Sequence, residues 1–347
     1  MSLFLHVDGP RWRAHLRSVA EREPGLVPVA KGNGYGFGLG RLARRTQWLG
    51  VPMLAVGTYD EIAAVASRFD GSIMVLTPWR EFQHAPHDDR LVHTVSRLSD
   101  LEMLAAGPHR PRVVLERATS MLRHGMTAAE LRQVGRVLGS RTGVRVEGVT
   151  MHLPLGGGSH QSEVDRLMHD VVAADLGVRD IYVSHLASAE RTGLQAVWPE
   201  FTFRPRIGTD LWLGDRGSLR VTATVLDVHP VERGDVYGYR GRHAPVAGSI
   251  VVVSGGTAHG IGLEAPASGS SLRNRASSVV RGGLDAMGLV RSPYTIDGKQ
   301  RLFAEPPHMQ ASMLFLPAGS RTPVVGDQVD VTVRFTATTF DKTEITD

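Results

Sequence analysis

Apolar and polar positions in the first part of the chain follow two alternating rhythms. Short apolar runs rich in β-branched residues recur as LVPVA (26–30), MLAVG (53–57), SIMVLT (72–77), LVHTV (91–95), RVVLE (112–116), VEGVTMH (146–152) and DIYVSH (180–185). Each is the length of one buried strand. Between them lie YDEIAAVASRF, LSDLEMLAAG, TAAELRQVGRVLGS and SEVDRLMHDVVAADLG, whose apolar residues return every three or four positions, as on one face of a helix. This alternation predicts parallel strands joined by crossover helices. About eight such units over about 215 residues fit a (β/α)8 barrel better than an open doubly wound sheet.

The rhythm changes after RIGTDLWLGDRG. LRVTATVLDVHPVERGDVYGY, APVAGSIVVVSGG and QVDVTVRFTATTF are β-rich, punctuated by glycine and proline, and lack helical periodicity. The pattern therefore predicts a barrel over 1–215 and a mainly β domain over 216–347. EAPASGSSLRNRASS (264–278) reads as a polar loop. No internal repeat is evident.

Composition narrows the chemistry. With 42% apolar and 21% charged residues the chain supports a sizeable core. The absence of cysteine excludes disulfides, thiolate catalysis and thiolate-bound zinc. The net charge of +4 is small, and the arginines of the first 50 residues are interleaved with apolar positions, as on solvated helix faces. Nucleic-acid binding is not expected. No stretch approaches the roughly 18 apolar residues of a membrane span, so a soluble cytoplasmic protein without a membrane partner is the expectation.

One segment stands apart, VAKGNGYGFG (29–38), where the first predicted strand delivers Lys31 into a glycine-rich loop. A lysine at the carboxyl end of a barrel strand lies on the face where barrel active sites are built. It is either a solvated loop residue or an amine that forms a Schiff base with a carbonyl cofactor once partly desolvated. The glycines allow close approach of a bulky ligand, and the Tyr35 hydroxyl can donate to a phosphate.

VAKGNGYGFG resembles the cofactor-lysine motif of the alanine racemase family, which uses pyridoxal 5'-phosphate, and further resemblances follow in family order. In TSMLRHG, Arg123 corresponds to the arginine near the cofactor's phenolic oxygen. GVTMHL ends in His152, beside the pyridine ring. SHLASAE is similar to the family's phosphate-binding asparagine-serine segment, reduced here to Ser188 followed by Ala189. RIGTDLWLG implies Arg206 opposite the pyridine nitrogen and the backbone of Gly208 and Thr209 on the phosphate. VERGDVYGY, SPYTIDGKQ and QASMLFL continue the likeness through the β domain. Taken singly, Arg123 and Arg206 read as surface ion-pair partners, His152 as a core histidine and Ser188 as a helix cap.

The resemblance implies an enzyme acting at the α-carbon of an amino acid, with Lys31 as the base on one face of the substrate. It also implies a homodimer whose sites are completed by the partner subunit's β domain. Two departures bear on the reaction. The family's second base, a tyrosine in Gly-Tyr-Ala-Asp-Gly, is replaced in GGTAHG (255–260) by Thr257, with His259 in place of the aspartate. A threonine hydroxyl is too weak an acid to replace a phenol, whereas an imidazole is the side chain suited to proton transfer near neutral pH, which makes His259 the candidate substitute. A carboxyl-terminal tyrosine is also missing, with Phe340 in its neighbourhood. Three readings stay open: a racemase or epimerase, a lyase, aldolase or decarboxylase needing no opposed base, and a catalytically silent cofactor binder.

Overall fold

A computed structural model describes residues 2–140, 143–156, 158–263 and 290–347. The loop expected at 264–278 lies outside them. The chain divides into two compact units, Arg13–Gly214 and Met1–Trp12 with Asp215–Asp347.

The first unit is a parallel barrel of eight strands, Val27–Pro28, Met53–Val56, Ser72–Val75, Leu91–Val95, Arg112–Glu116, Arg145–His152, Asp180–Ser184 and Thr202–Ile207. The last strand carries one proline, as does the first strand beside it. Pro205 lies within the last and Pro28 within the first, and neither donates to the ladder. The first strand nonetheless pairs with the last at Val27–Arg206 and Pro28–Ile207, and the ring closes on the second strand through Val29, which bridges to Ala55, and the amide of Ala30, which donates to the Ala55 carbonyl at 2.8 Å. Seven strands match the apolar runs, whereas the eighth, TFRPRI, was hidden by its arginines and proline.

The helices follow the expected spacing at Leu98–Ala106, Ala128–Ser140 and Gln161–Ala174. Ala128–Ser140 starts at a reciprocal cap: the Glu130 amide donates to Thr127 Oγ1 (3.2 Å) and the Thr127 amide to Glu130 Oε2 (2.8 Å). The predicted helix YDEIAAVASRF is shorter, a 3-10 turn over Tyr59–Glu61 and then Ile62–Ala66.

In the second unit Leu219–Val231, Gly248–Ser254, Ala311–Pro317, Lys299–Phe303, Arg291–Ile296 and Gln328–Val331 form an antiparallel ring closed by pairing of its first two members. Leu3–Val7 extends it, antiparallel to Leu219–Ala223 and parallel to Lys342–Ile345. Leu3–Val7, a strand the apolar runs did not single out, therefore groups with the β unit, although it lies within the range 1–215 expected for the barrel. The stretch VTVRFTATTF is strand only at its start, because pairing stops after Val331.

Candidate active site

Side chains alternate inward and outward along a barrel strand. Val29, Ala55, Met74, Val92, Val114 and Tyr182 belong to one buried cluster of strand residues. Two residues further along their strands, Val29, Val114 and Tyr182 are followed by Lys31, Glu116 and Ser184, so the apolar layer gives way to polar groups at the carboxyl ends.

The loop after the first strand is held from the side. The Glu61 carboxylate accepts the Gly32 amide through Oε1 (2.7 Å) and the Gly57 amide through Oε2 (2.6 Å), tying the loops after the first two strands together. Lys31 is open to solvent as a residue. Its amine nevertheless lies below the usual lysine range, lowered first by partial burial and then by the cations of Arg123 and Arg206, with Glu61 opposing.

Tyr35 is buried and left-handed at φ 54°. That conformation is costly for a non-glycine residue and persists only where the surroundings impose it. Its phenol is pushed up to about 12 by burial and by Glu61. A Cβ built on Gly208 would lie 2.0 Å from the Tyr35 hydroxyl, so the loops meet only because position 208 is bare backbone. Gly208 precedes the short helix Thr209–Leu213.

Arg206 lies 7% exposed and donates through Nη2 to the Met151 carbonyl at 3.0 Å. Burial draws its guanidinium down to about 10, against the support of Glu116, so it remains a cation at neutral pH. His152 ends its strand and its Nδ1 pairs with the Ser184 hydroxyl at 2.8 Å. Burial, then Arg206 and Arg123, lower it to about 3, which leaves a neutral imidazole. The His185 ring lies edge-on to it at 5.3 Å. Arg123 is exposed in a loop shaped by left-handed Leu122 (φ 51°), and Thr119 Oγ1 anchors that loop on the His152 carbonyl at 2.6 Å.

Lys31, Tyr35, Arg123, His152, Arg206, Gly208 and Thr209 thus all belong to the barrel unit, and electrostatic interactions link Lys31, Arg123, Arg206 and His152. Ser188 is engaged differently. Its hydroxyl donates to Glu23, a buried carboxylate that also takes the Arg191 guanidinium. His259 lies in the β unit, and its ring is already used there. Nδ1 accepts the Gly256 amide (3.3 Å) and Nε2 pairs with Asp341 (3.1 Å), whose other oxygen takes the Leu3 amide (2.7 Å). Both ring nitrogens of the candidate second base are thus engaged within the β unit. Three groups escaped the sequence reading: Glu61, Glu116 and His185. Each reads in sequence as an ordinary polar residue beside a strand.

An amine, two arginines and a neutral histidine thus stand together at the carboxyl face of one barrel. The family model for the alanine racemase N-terminal domain matches residues 7–213, and the chain belongs to that family. An alanine racemase of Nitratidesulfovibrio vulgaris (Miyazaki F) is 28% identical over 269 residues, 71% of this chain and 72% of its own length. The fold is shared with the alanine racemase of Bartonella henselae, solved with covalently bound pyridoxal phosphate (TM-score 0.70, 16% identity, 96% of this chain and 91% of that one). It is shared equally with the enzyme from a D-cycloserine-producing Streptomyces lavendulae (TM-score 0.70, 21% identity, 95% and 87%).

Proposed function

We propose that this chain is a pyridoxal-phosphate-dependent enzyme, alanine-racemase-like, acting at the α-carbon of an amino acid. The observation that carries the reading is the lowered Lys31 amine beside two arginines at the carboxyl face of the barrel. The residues present fit the cofactor. An amine of lowered pKa suits an aldehyde, and the meeting of the Tyr35 hydroxyl with bare backbone at Gly208 leaves donors for a phosphate. Arg206 keeps a buried Nε without a hydrogen-bond partner among the described residues. In this reading Lys31 holds the aldehyde, Tyr35, Gly208 and Thr209 the phosphate, Arg206 and His152 the ring, and Arg123 its phenolic oxygen. Ser188 is a weaker phosphate candidate, since its hydroxyl serves Glu23.

When bound, pyridoxal phosphate withdraws electrons from the substrate α-carbon and makes its proton removable. The protein's part is to move that proton and hold everything else still. Lys31 is the group placed to take it, because a desolvated amine spends more time unprotonated at neutral pH. Tyr35 stays a neutral donor at about 12, and His152 stays uncharged. Arg206 stays charged and so donates hydrogen bonds to its ligand, keeping protons off it.

The commitment of both His259 ring nitrogens favours a second reading, chemistry with a single base such as elimination, retro-aldol cleavage or decarboxylation. We also propose, on the family resemblance, a cytoplasmic homodimer with shared sites. No helix among the described residues is long and apolar enough to cross a membrane.

The test is proton NMR of L- and D-amino acids incubated with the cofactor-loaded protein in heavy water. Loss of an α-proton signal that disappears in Lys31→Ala supports the enzyme. Product of both hands marks a racemase, whereas new products mark a single-base reaction. Intact substrates throughout, with cofactor bound at Lys31, overturn catalysis in favour of a silent binder.

A further inference from the structure

The sixth and seventh barrel strands, Arg145–His152 and Asp180–Ser184, run parallel with their last residues, His152 and Ser184, opposite each other in the register. Two residues below, the partners are Thr150 and Tyr182, and Tyr182 belongs to the apolar layer. The Ser184 hydroxyl and His152 Nδ1 lie 2.8 Å apart. Ser184 is 5% exposed, and this is the one hydrogen bond of its hydroxyl among the described residues. The direction of the bond follows. A hydroxyl carries a single hydrogen. Were Nδ1 the donor, the serine hydrogen would be buried without an acceptor, at the cost of an unmade hydrogen bond. The hydroxyl therefore donates to Nδ1, and His152 carries its own hydrogen on Nε2, which bonds to no described residue. The backbone around the ring is held separately. Thr119 Oγ1 donates to the His152 carbonyl (2.6 Å) and Arg206 Nη2 to the Met151 carbonyl (3.0 Å). What these bonds leave free is rotation of the ring, which Ser184 arrests at one nitrogen.

We propose that Ser184 is a positioning residue of the site, whose hydroxyl fixes the His152 ring in one orientation and one tautomer, with Nε2–H as the donor available to a ligand. It acts through the histidine. The inference deepens the cofactor reading, on which its consequence for binding rests, while the bond itself exists in the cofactor-free chain. A ring free to turn must be ordered when the ligand arrives, and affinity falls by the fraction of rings found in the competent orientation. A serine that merely fills the end of its strand would leave the nitrogens of the histidine indifferent to its hydroxyl.

The experiment is nitrogen-15 NMR of the cofactor-free protein labelled in its histidine rings, together with the affinity of pyridoxal phosphate for wild type, Ser184→Ala and Ser184→Thr. The chain has 15 histidines, so His152 is assigned by the signals lost in His152→Gln. In wild type Nε2 should resonate as the protonated nitrogen and Nδ1 as an unprotonated one that accepts a hydrogen bond. Ser184→Ala should move the Nδ1 signal to the position of an unbonded nitrogen, and Ser184→Thr, which keeps the hydroxyl, should leave it in place. Ser184→Ala should also weaken pyridoxal phosphate about threefold to tenfold, the worth of one such bond, with Ser184→Thr within about twofold of wild type. A hydrogen on Nδ1 in wild type, or an Nδ1 signal unmoved by Ser184→Ala, overturns the proposal. So does an affinity that Ser184→Ala leaves unchanged, or that Ser184→Thr loses equally. If Ser184→Ala does not fold, Ser184→Thr decides: a wild-type Nδ1 signal supports the bond and an unbonded one overturns it. A wild-type chain that binds no pyridoxal phosphate refutes the cofactor reading, while the nitrogen signals still decide whether Ser184 fixes the ring.

Discussion

Glu61 holds the amide of Gly32, the residue directly after Lys31, at 2.7 Å, from a position 29 residues away in sequence. Its other oxygen holds Gly57 at 2.6 Å. One carboxylate therefore sets both the path of the lysine loop and part of the field at the amine.

Glu61→Gln keeps one acceptor but loses the charge that opposes the lowering of Lys31. The Lys31 amine should fall further, and loss of one partly exposed acceptor should cost on the order of 1 kcal/mol. The chain has three lysines, Lys31, Lys299 and Lys342, so labelling by an amine-reactive reagent can be followed at each by mass spectrometry. The Lys31 labelling midpoint should move to lower pH while the other two stay put. An unmoved midpoint would refute the electrostatic role.

Gly208→Ala places a methyl 2.0 Å from the Tyr35 hydroxyl. The backbone at Gly208 is not left-handed (φ −114°), so the clash dominates and the cost should be about 1–3 kcal/mol by chemical denaturation. Adding Tyr35→Phe removes the closest atom and should return part of it. Equal stability of wild type and Gly208→Ala would mean that the two loops do not meet.

His93 is buried, and its Nδ1 pairs with the Tyr59 hydroxyl at 2.8 Å. Burial lowers it from 6.5 to about 4. The unfolded chain therefore takes up this proton first as pH falls, and native stability declines between about 6.5 and 4. The loss attributable to His93 is on the order of 3 kcal/mol. Above pH 6.5 the group adds no slope. His93→Gln should flatten urea-derived stability across that window, and an unchanged slope would count against a buried neutral imidazole.

Glu23 is buried, with Arg191 and Ser188 as its partners. Arg191→Leu should cost about 1–3 kcal/mol, because it leaves the carboxylate only the Ser188 hydroxyl and the more exposed Arg22 guanidinium at 3.3 Å, and a second change, Glu23→Gln, should recover part of that. Unfolding curves of the single and double variants decide it, recovery being the signature of a charge effect rather than a lost packing contact.

The parts of this molecule that sequence made legible are those written locally. Seven barrel strands announced themselves as apolar runs, and Lys31 as an amine in a glycine loop at a strand end. The eighth strand, Thr202–Ile207, carries Arg204, Pro205 and Arg206 and so hid its inward face. Leu3–Val7 was missed because its partners lie more than 200 residues away. Glu116 closes RVVLE like any solvated strand-end acid, and only barrel closure shows that its side chain is inside. Ser188 and His259 show the converse, since a residue's place in a motif does not say which neighbour has claimed its hydrogen bonds.

The pairing of Leu3–Val7 with both Leu219–Ala223 and Lys342–Ile345 has a consequence for how the molecule is made. During synthesis the opening strand waits, with no sheet to join, while all eight barrel strands emerge. Its first neighbour appears only after residue 218 and its second after residue 341. The barrel can thus fold on the ribosome as an interruption in a sheet that joins Leu3–Val7 to two strands translated more than 200 residues after it. Any lesion that stalls translation late in the chain would strand the opening segment, an apolar ribbon with one edge bare, beside a barrel that is already complete.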